Sequence, residues 1–403
     1  MTGYQSHQNK PDLPLAVSIS RYDRISRYLG SLIPSLRQFS GRFIPFGSCD
    51  AGMRYLAYEK PGETGHITEP KNLFGNPMHP AHLDFFPDYF SHPTRLYRIP
   101  HGIYHCKDHV AFTPDYEVVD WHLPFWAVKR NLPPTLCRRR LRRPKPLKGR
   151  VLVISAAGTS NNIWHTLFDS IPKIAVAREA GYQVKSFSAI AINQANHSFQ
   201  KESLVACGVK EEQIFVTDDC NFIQAEELVY VNLGYLNVPQ RWAVDFLREI
   251  FSDELRDRIG RRRIMISRES ARHRRLVGEK QLLELLRGDS FELLRLENLT
   301  LREQIRSIAD SEAILSPHGA GLANIIWARP GASCIELLPP EFMNICYWLL
   351  SEVCGLSYNY AIGEQTLGKS FNHRSVNDMS RGGANIVFAN LPALAETIRK
   401  TWH

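Results

Sequence analysis

From Arg150 onward, short apolar β-branched runs alternate with longer stretches of helical pattern, and this alternation limits the fold more than any other feature. The runs are Val151–Ser155 (VLVIS), Phe187–Ile192, Ile214–Val216, Leu228–Val231, Arg263–Ser267 (RIMIS), Phe291–Leu296, Ala313–Ser316, Cys334–Leu338 and Ser357–Ala361. The spacing predicts helices at Glu279–Arg287, with Gly288 as its C′ glycine, at Leu301 to about Ala309, at Leu322–Ala328 and at Met343–Val353. Thr300 and Glu303 form a capping box that fixes the start of the second of these. Strands alternating with helices at this interval require parallel pairing through crossovers. A polar, arginine-heavy stretch, Asp253–Arg262, divides two such blocks. The predicted fold is α/β: two Rossmann-like domains facing a cleft, with an N-terminal β-rich extension.

The boundaries follow from changes in texture. Residues 1–40 are a polar tail with one short apolar stretch, near Tyr28–Leu36, that suits a helix, and 41–149 are a β-rich part full of Pro, Gly, His and aromatics. Residues 150–240 are Rossmann-like and complete a first domain over 41–240. Residues 241–262 are a hinge, 263–365 a second Rossmann-like domain, and 366–403 a C-terminal segment with a terminal helix.

Charge excludes one large class of partner. The chain has 403 residues and a net charge of +8, yet Arg138–Arg150 (RRRLRRPKPLKGR) alone carries eight bases and no acid. The remainder is neutral, which is not the footprint of a nucleic-acid binder. Broken by two prolines, the basic run is predicted to be a solvated connector, suited to docking on an anionic membrane surface. No apolar stretch is long enough to span a bilayer, and the first residues lack the apolar core of a secretion signal. A cytoplasmic location, peripheral to the inner membrane at most, is the expectation. The eight cysteines are scattered without a CxxC pair, consistent with reduced thiols.

Three segments carry candidate chemistry. Ser316-Pro-His-Gly-Ala-Gly-Leu-Ala-Asn324 lies between a strand and a helix, where open α/β sheets bind ligands. Gly319 and Gly321 permit close approach of a ligand, and the helix start offers amides to a phosphate or diphosphate. A plain tight turn would need the glycines too; His318 adds a donor and favours a ligand. Glu336 ends the next strand and could accept ribose hydroxyls, although a capping or ion-paired carboxylate is the simpler assignment. The second segment holds seven arginines between Arg261 and Arg275. Their forked donors match phosphate oxygens and could replace a metal ion in neutralising a leaving diphosphate. Arg268, Arg274 and Arg275 are the candidates; Arg261, Arg262 and Arg272 read as solvated. The third segment is Asn161-Asn162-Ile-Trp164-His165-Thr-Leu-Phe-Asp169-Ser-Ile-Pro172. On a helix, His165 and Asp169 share one face, and either could take the proton of an attacking hydroxyl. Pro172 kinks this helix or starts a second piece. His101, His105 and His109 would form a metal face only on a helix, which Pro100 and Gly102 oppose. No metal site is therefore assigned.

Together, NIWHTLFDSIP, SRESARHRRLVGE, LENLTLREQI and SPHGAGLAN followed by PGASCIELLP resemble glycosyltransferase family 61 over about residues 150–362. Bacterial members of that family are often described as capsular polysaccharide biosynthesis proteins. The resemblance implies a type-B glycosyltransferase fold, a UDP-sugar donor, inversion at the anomeric carbon and no obligatory metal or other cofactor. It implies an acceptor-side first domain and a nucleotide-sugar-binding second one. Arg268 and Arg274 match the family's arginine motif, His318–Asn324 its glycine loop, and His165 with Asp169 its WHxLxD-type motif. With Arg275 and Glu336 added from the reading of the residues themselves, the expected donor-binding set is Arg268, Arg274, Arg275, His318, Gly319, Ala320, Gly321, Leu322, Asn324 and Glu336. Asn162 and Trp164 fall on the acceptor side, and Asp169 or His165 is the base. Gly278 stands where the family pattern leads one to expect Asn. The implied function is an inverting, metal-independent hexosyl- or pentosyltransferase acting on a glycan or lipid-linked glycan acceptor. A non-catalytic nucleotide-sugar-binding scaffold is the alternative. A dinucleotide oxidoreductase is disfavoured because no G-x-G-x-x-G follows a strand.

Overall fold

A computed structural model describes residues 54–66, 71–74, 88–90, 93–119, 143–233, 239–340, 342, 344–364 and 385–401. The predicted tail 1–40, Arg138–Arg142 of the basic run and residues 366–384 lie outside the described residues.

Seventeen strands are described. In chain order they are β1 (Leu56–Lys60), β2 (Thr64–His66), β3 (Lys71–Asn72), β4 (Asp88–Phe90), β5 (Thr94–Pro100), β6 (Ile103–His105), β7 (Val110–Phe112), β8 (Val118–Val119) and β9 (Lys145–Val153). They continue with β10 (Ala189–Ile192), β11 (Ile214–Val216), β12 (Phe222–Asn232), β13 (Arg262–Ile266), β14 (Phe291–Leu294), β15 (Ser311–Pro317), β16 (Ser333–Leu338) and β17 (Ser357–Ile362).

Two larger sheets result. The first has the order β11-β10-β9-β12-β6-β7-β8, with β5 joining β12 to β1. Strands β11, β10, β9 and β12 pair in parallel, whereas β5 and β6 meet the far edge of β12 antiparallel. The β-rich part is therefore not a separate layer; it extends the Rossmann-like sheet sideways. The second sheet, β14-β13-β15-β16-β17-β3, is parallel throughout. Its central strands are buried on both faces, as parallel sheets covered by helices are.

Two predicted connectors carry regular structure. Lys145–Arg150 is exposed or half-buried, as the sequence predicts, but it is the start of β9 rather than a connector, with Gly149 at a bulge where the register against β12 shifts. Arg150 is paired with Glu227, which also binds Arg98 at 2.6 Å. Residues of the predicted hinge carry two helices, Arg241–Ile250 and Ser252–Leu255.

One buried cluster joins the two sheets. It runs from Leu152 and Ile190 through Trp164, Leu167 and Phe168 to Tyr347, Ile325 and Ile314. Polar clamps reinforce it. The Glu202 carboxylate accepts from the amides of Leu301 and Arg302 at 3.1 and 2.9 Å, satisfying the open N-terminus of helix Leu301–Ala309. Arg248 donates to the carbonyls of Ile326 and Ala328, both at 2.7 Å, and so closes the C-terminal end of the segment after β15.

Candidate active site

Sheet order locates the site. From β13 the chain passes to β14 on one side and later to β15 on the other. Outside the carboxyl ends of β13 and β15, where the order reverses, open α/β sheets form a ligand crevice. A crevice of about 140 Å³ lies there, walled by Arg268, Ser270 and Ala271 after β13, Leu296 and Glu297 after β14, and Ser316, Gly319, Gly321 and Leu322 around the end of β15. That volume suits part of a nucleotide rather than all of one, since whole small-molecule sites run to ~300–1,000 Å³.

The glycine loop is pinned by the arginine loop. A Cβ on Gly319 would stand 1.7 Å from Arg268 Nη1, so the missing side chain is the space the guanidinium occupies. The Gly319 backbone is extended, with φ at 171°, so space rather than torsion demands glycine. Arg274 Nε donates to the His318 carbonyl at 3.2 Å, and its guanidinium lies 4.8 Å over the Phe342 ring. Tyr347 donates its hydroxyl proton to the Gly319 carbonyl at 2.6 Å. Arg268 donates one bond to the His273 carbonyl at 3.0 Å, while its buried Nε has no partner among the described residues. Burial first, and Arg274 second, pull the Arg268 guanidinium below its ordinary range. Two adjacent, partly desolvated cations are stabilised by a bound anion.

Gly319 is followed by a 3₁₀ helix, Ala320–Trp327, which starts two residues before the predicted Leu322–Ala328 helix and is wound more tightly than an α-helix. Its N-terminal amides, those of Ala320 and Gly321, have no intrahelical acceptor and so can serve an anion. Asn324 explains the tighter winding in part. It is wholly buried and donates to Gln304 and to the Gly321 carbonyl while accepting from Trp327, each at 3.0 Å. It braces the turn and, contrary to expectation, is closed off from a donor by its burial.

Glu336 is also corrected. It is 0% exposed, with one oxygen 2.5 Å from His318 Nδ1 and the other accepting from the Tyr358 hydroxyl at 2.5 Å. It cannot reach a ribose; it fixes the His318 ring, which lies beneath the loop between Phe342 and Tyr347. Arg275 is exposed, and its main chain pairs with Asn385 and Ile386, so it does not join the crevice. Gly278, at φ 79°, opens helix Glu279–Leu285 in the left-handed region that Gly and Asn share, so the departure from Asn keeps the backbone shape.

The third segment packs, through Trp164, against the tyrosine that holds the glycine loop. Ile163–His165 is one helical turn, Thr166–Ser170 is π-helical, and Pro172 starts a second helix to Glu179. His165 Nδ1 and Asp169 Oδ2 are 2.6 Å apart, both residues half-buried. Burial opposes charge on His165, but the hydrogen bond and negative charge of Asp169 together outweigh it and raise the imidazole pKa. A Cβ on Gly158 would lie 2.5 Å from the His165 ring, so that glycine admits the imidazole. Asn162 caps the turn, its Oδ1 accepting from the Trp164 amide at 2.9 Å. Trp164 is buried against Phe168 and edge-on to Tyr347, with centroids 5.3 Å apart. It is not open to an acceptor; it joins the His165 turn to the tyrosine that holds Gly319.

Sequence reasoning missed three residues. Glu279 is buried and accepts from Ser267 Oγ at 2.6 Å and the Arg268 amide at 3.0 Å, setting the arginine loop. Lys173 is buried, donates to the Ser155 carbonyl at 2.9 Å, and has its pKa lowered to about 8 by burial, with Asp169 opposing. Glu297 lines the crevice. Only Lys173, one helical turn beyond Asp169, had a signal in the spacing. His101, His105 and His109 fall on and around the β6–β7 hairpin, and His109 Nδ1 meets the Tyr104 hydroxyl at 2.9 Å. The described cysteines are all free. No helix among the described residues is long and apolar enough to cross a membrane.

Residues 163–335 match the family described as Glycosyltransferase 61. A stretch of 64 residues is 33% identical to a β-1,2-xylosyltransferase of Arabidopsis thaliana. It covers 16% of this chain and 12% of the plant protein, so the chain spans a small part of that relative's length.

Proposed function

We propose, on the premise that residues 163–335 are a glycosyltransferase family 61 domain, that this protein moves a sugar from a UDP-sugar to a hydroxyl of a glycan or lipid-linked glycan. Inversion at the anomeric carbon and a place in cell-surface or capsular polysaccharide synthesis complete the proposal. The plant relative's name makes a pentose the first sugar to try. One observation carries the reading. The crevice with its unpartnered Arg268 Nε is joined through Tyr347 and Trp164 to a hydrogen-bonded His–Asp pair.

In this mechanism the diphosphate lies against Arg268 and the amides of Ala320 and Gly321, and Arg274 adds a second positive charge nearby. These groups stabilise charge that grows on the departing UDP, so they supply what a divalent ion would otherwise supply. Preorganised donors of this kind contribute about 2.7–4 kcal/mol each. Asp169 holds Nδ1 of His165 and directs Nε2 to the acceptor hydroxyl. The acceptor oxygen attacks C1, the C1–O bond to the diphosphate breaks, and the proton passes to Nε2.

The test is twofold. UDP is expected to raise the melting temperature equally with and without EDTA. His165→Ala and Asp169→Asn are expected to lower sugar transfer at least about 100-fold, the scale of general-base removal. Wild-type transfer rates in both variants with UDP binding intact would favour a non-catalytic nucleotide-sugar binder. A thermal shift with NAD(P) but not UDP would overturn the proposal.

A further inference from the structure

The crevice is lined by groups of two kinds. Arg268 and the first amides of the 3₁₀ helix offer donors. Glu297, just past β14, offers acceptors, and its Oε1 accepts from Ser270 Oγ at 2.6 Å. Glu297 has no cation within 4 Å among the described residues. The neighbouring Glu269, in contrast, is paired with Arg295 at 3.0 Å and Lys280 at 3.2 Å. Arg268, on the same crevice, attracts Glu297 without pairing with it within 4 Å, so an anion that takes Arg268 repels the carboxylate unless something intervenes. A nucleoside diphosphate supplies the spacer: its phosphates are acceptors and its ribose diol is a donor. Sheet order points the same way. With β13 as first strand and β14 as second, Glu297 follows the carboxyl end of the second strand, where nucleotide-binding α/β folds place the acid that takes ribose hydroxyls.

We propose that Glu297, backed by Ser270, accepts hydrogen bonds from the ribose hydroxyls of the donor and so selects ribonucleotides over 2′-deoxyribonucleotides. This takes the role expected of Glu336, which is buried elsewhere. It rests on the crevice being the UDP-sugar site.

Calorimetric titration of the full chain with UDP, 2′-deoxy-UDP and inorganic pyrophosphate tests it. Wild type should bind UDP at least about 10-fold more tightly than 2′-deoxy-UDP, the ratio one hydrogen bond to a charged group supplies. Glu297→Ala should bring that ratio close to one while leaving pyrophosphate binding equal or tighter. Glu297→Gln, which keeps the shape, should give an intermediate ratio and serves if the alanine variant does not fold. A wild-type ratio near one, or an unchanged ratio in both variants, overturns the assignment of Glu297 alone. Failure of wild type to bind UDP at all overturns the donor-site reading beneath it.

Discussion

At the scale of single residues, the site is built from absences as much as from side chains. Gly319 has ordinary extended torsions, so alanine would suit its backbone. What alanine cannot do is share space with Arg268, whose Nη1 lies 1.7 Å from where the Cβ would be. The guanidinium is the movable party, because it ends a flexible side chain. Gly319→Ala is therefore expected to swing Arg268 out of the crevice and weaken UDP binding roughly 10- to 100-fold, the value of one or two charged hydrogen bonds. The melting temperature without ligand should change little. Calorimetry with thermal denaturation reads both quantities, and undiminished UDP affinity would show that Arg268 does not grip the diphosphate.

At the scale of elements, legibility in the sequence depends on whether the signal is local. The Thr300 capping box is local: the Thr300 amide donates to Glu303 at 2.8 Å and the Glu303 amide to Thr300 Oγ1 at 3.3 Å, and the helix starts where expected. Ile214–Val216 is a strand as read, because an apolar run between turns needs no distant partner to be recognised. Lys145–Arg150 misled because its strand character comes from pairing with β12, far along the chain, while its own residues are charged, Pro and Gly. Glu336 and Asn324 misled for a related reason. Their chain positions suit a ligand, but His318, Tyr358, Gln304 and Trp327 had already claimed their polar atoms. The His165 turn shows both sides. The four-residue spacing foretold the His165–Asp169 contact, but not the π-helical winding through which it is made; such windings recur at functional sites. This element carries a pH prediction. Asp169 raises the His165 pKa, and the proposed base works only when neutral, so transfer should fall as pH drops through that raised value. Asp169→Asn removes the raising influence and leaves burial, which acts the other way. The acid limb of kcat/KM against pH should then move to lower pH, with a lower plateau. A limb that stays in place would assign it to another group.

At the scale of the molecule, the two sheets share one core, and the contact that closes it also links the two halves of the site. Trp164 belongs to the turn that presents His165, Tyr347 to the helix Cys346–Cys354 packed on the second sheet, and their rings meet edge to face. Tyr347 in turn holds the Gly319 carbonyl. In the proposed mechanism a rigid link of this kind keeps His165 and the Arg268 crevice in register, which transfer requires because misplacement of about 1 Å can cost 100-fold in rate. Trp164→Ala should destabilise the fold by about 3–5 kcal/mol, the usual cost of deleting a buried aromatic. Trp164→Phe keeps a ring against Tyr347 and should cost less. The phenylalanine variant separates packing from function: if the contact sets the register, transfer should fall more than UDP affinity, since the cradle itself is untouched. Urea unfolding, UDP titration and kcat measured on the same preparations give the three numbers. Equal losses in affinity and kcat would mean that Trp164 supports stability alone and that the sheets are held in register by the Glu202 and Arg248 clamps instead.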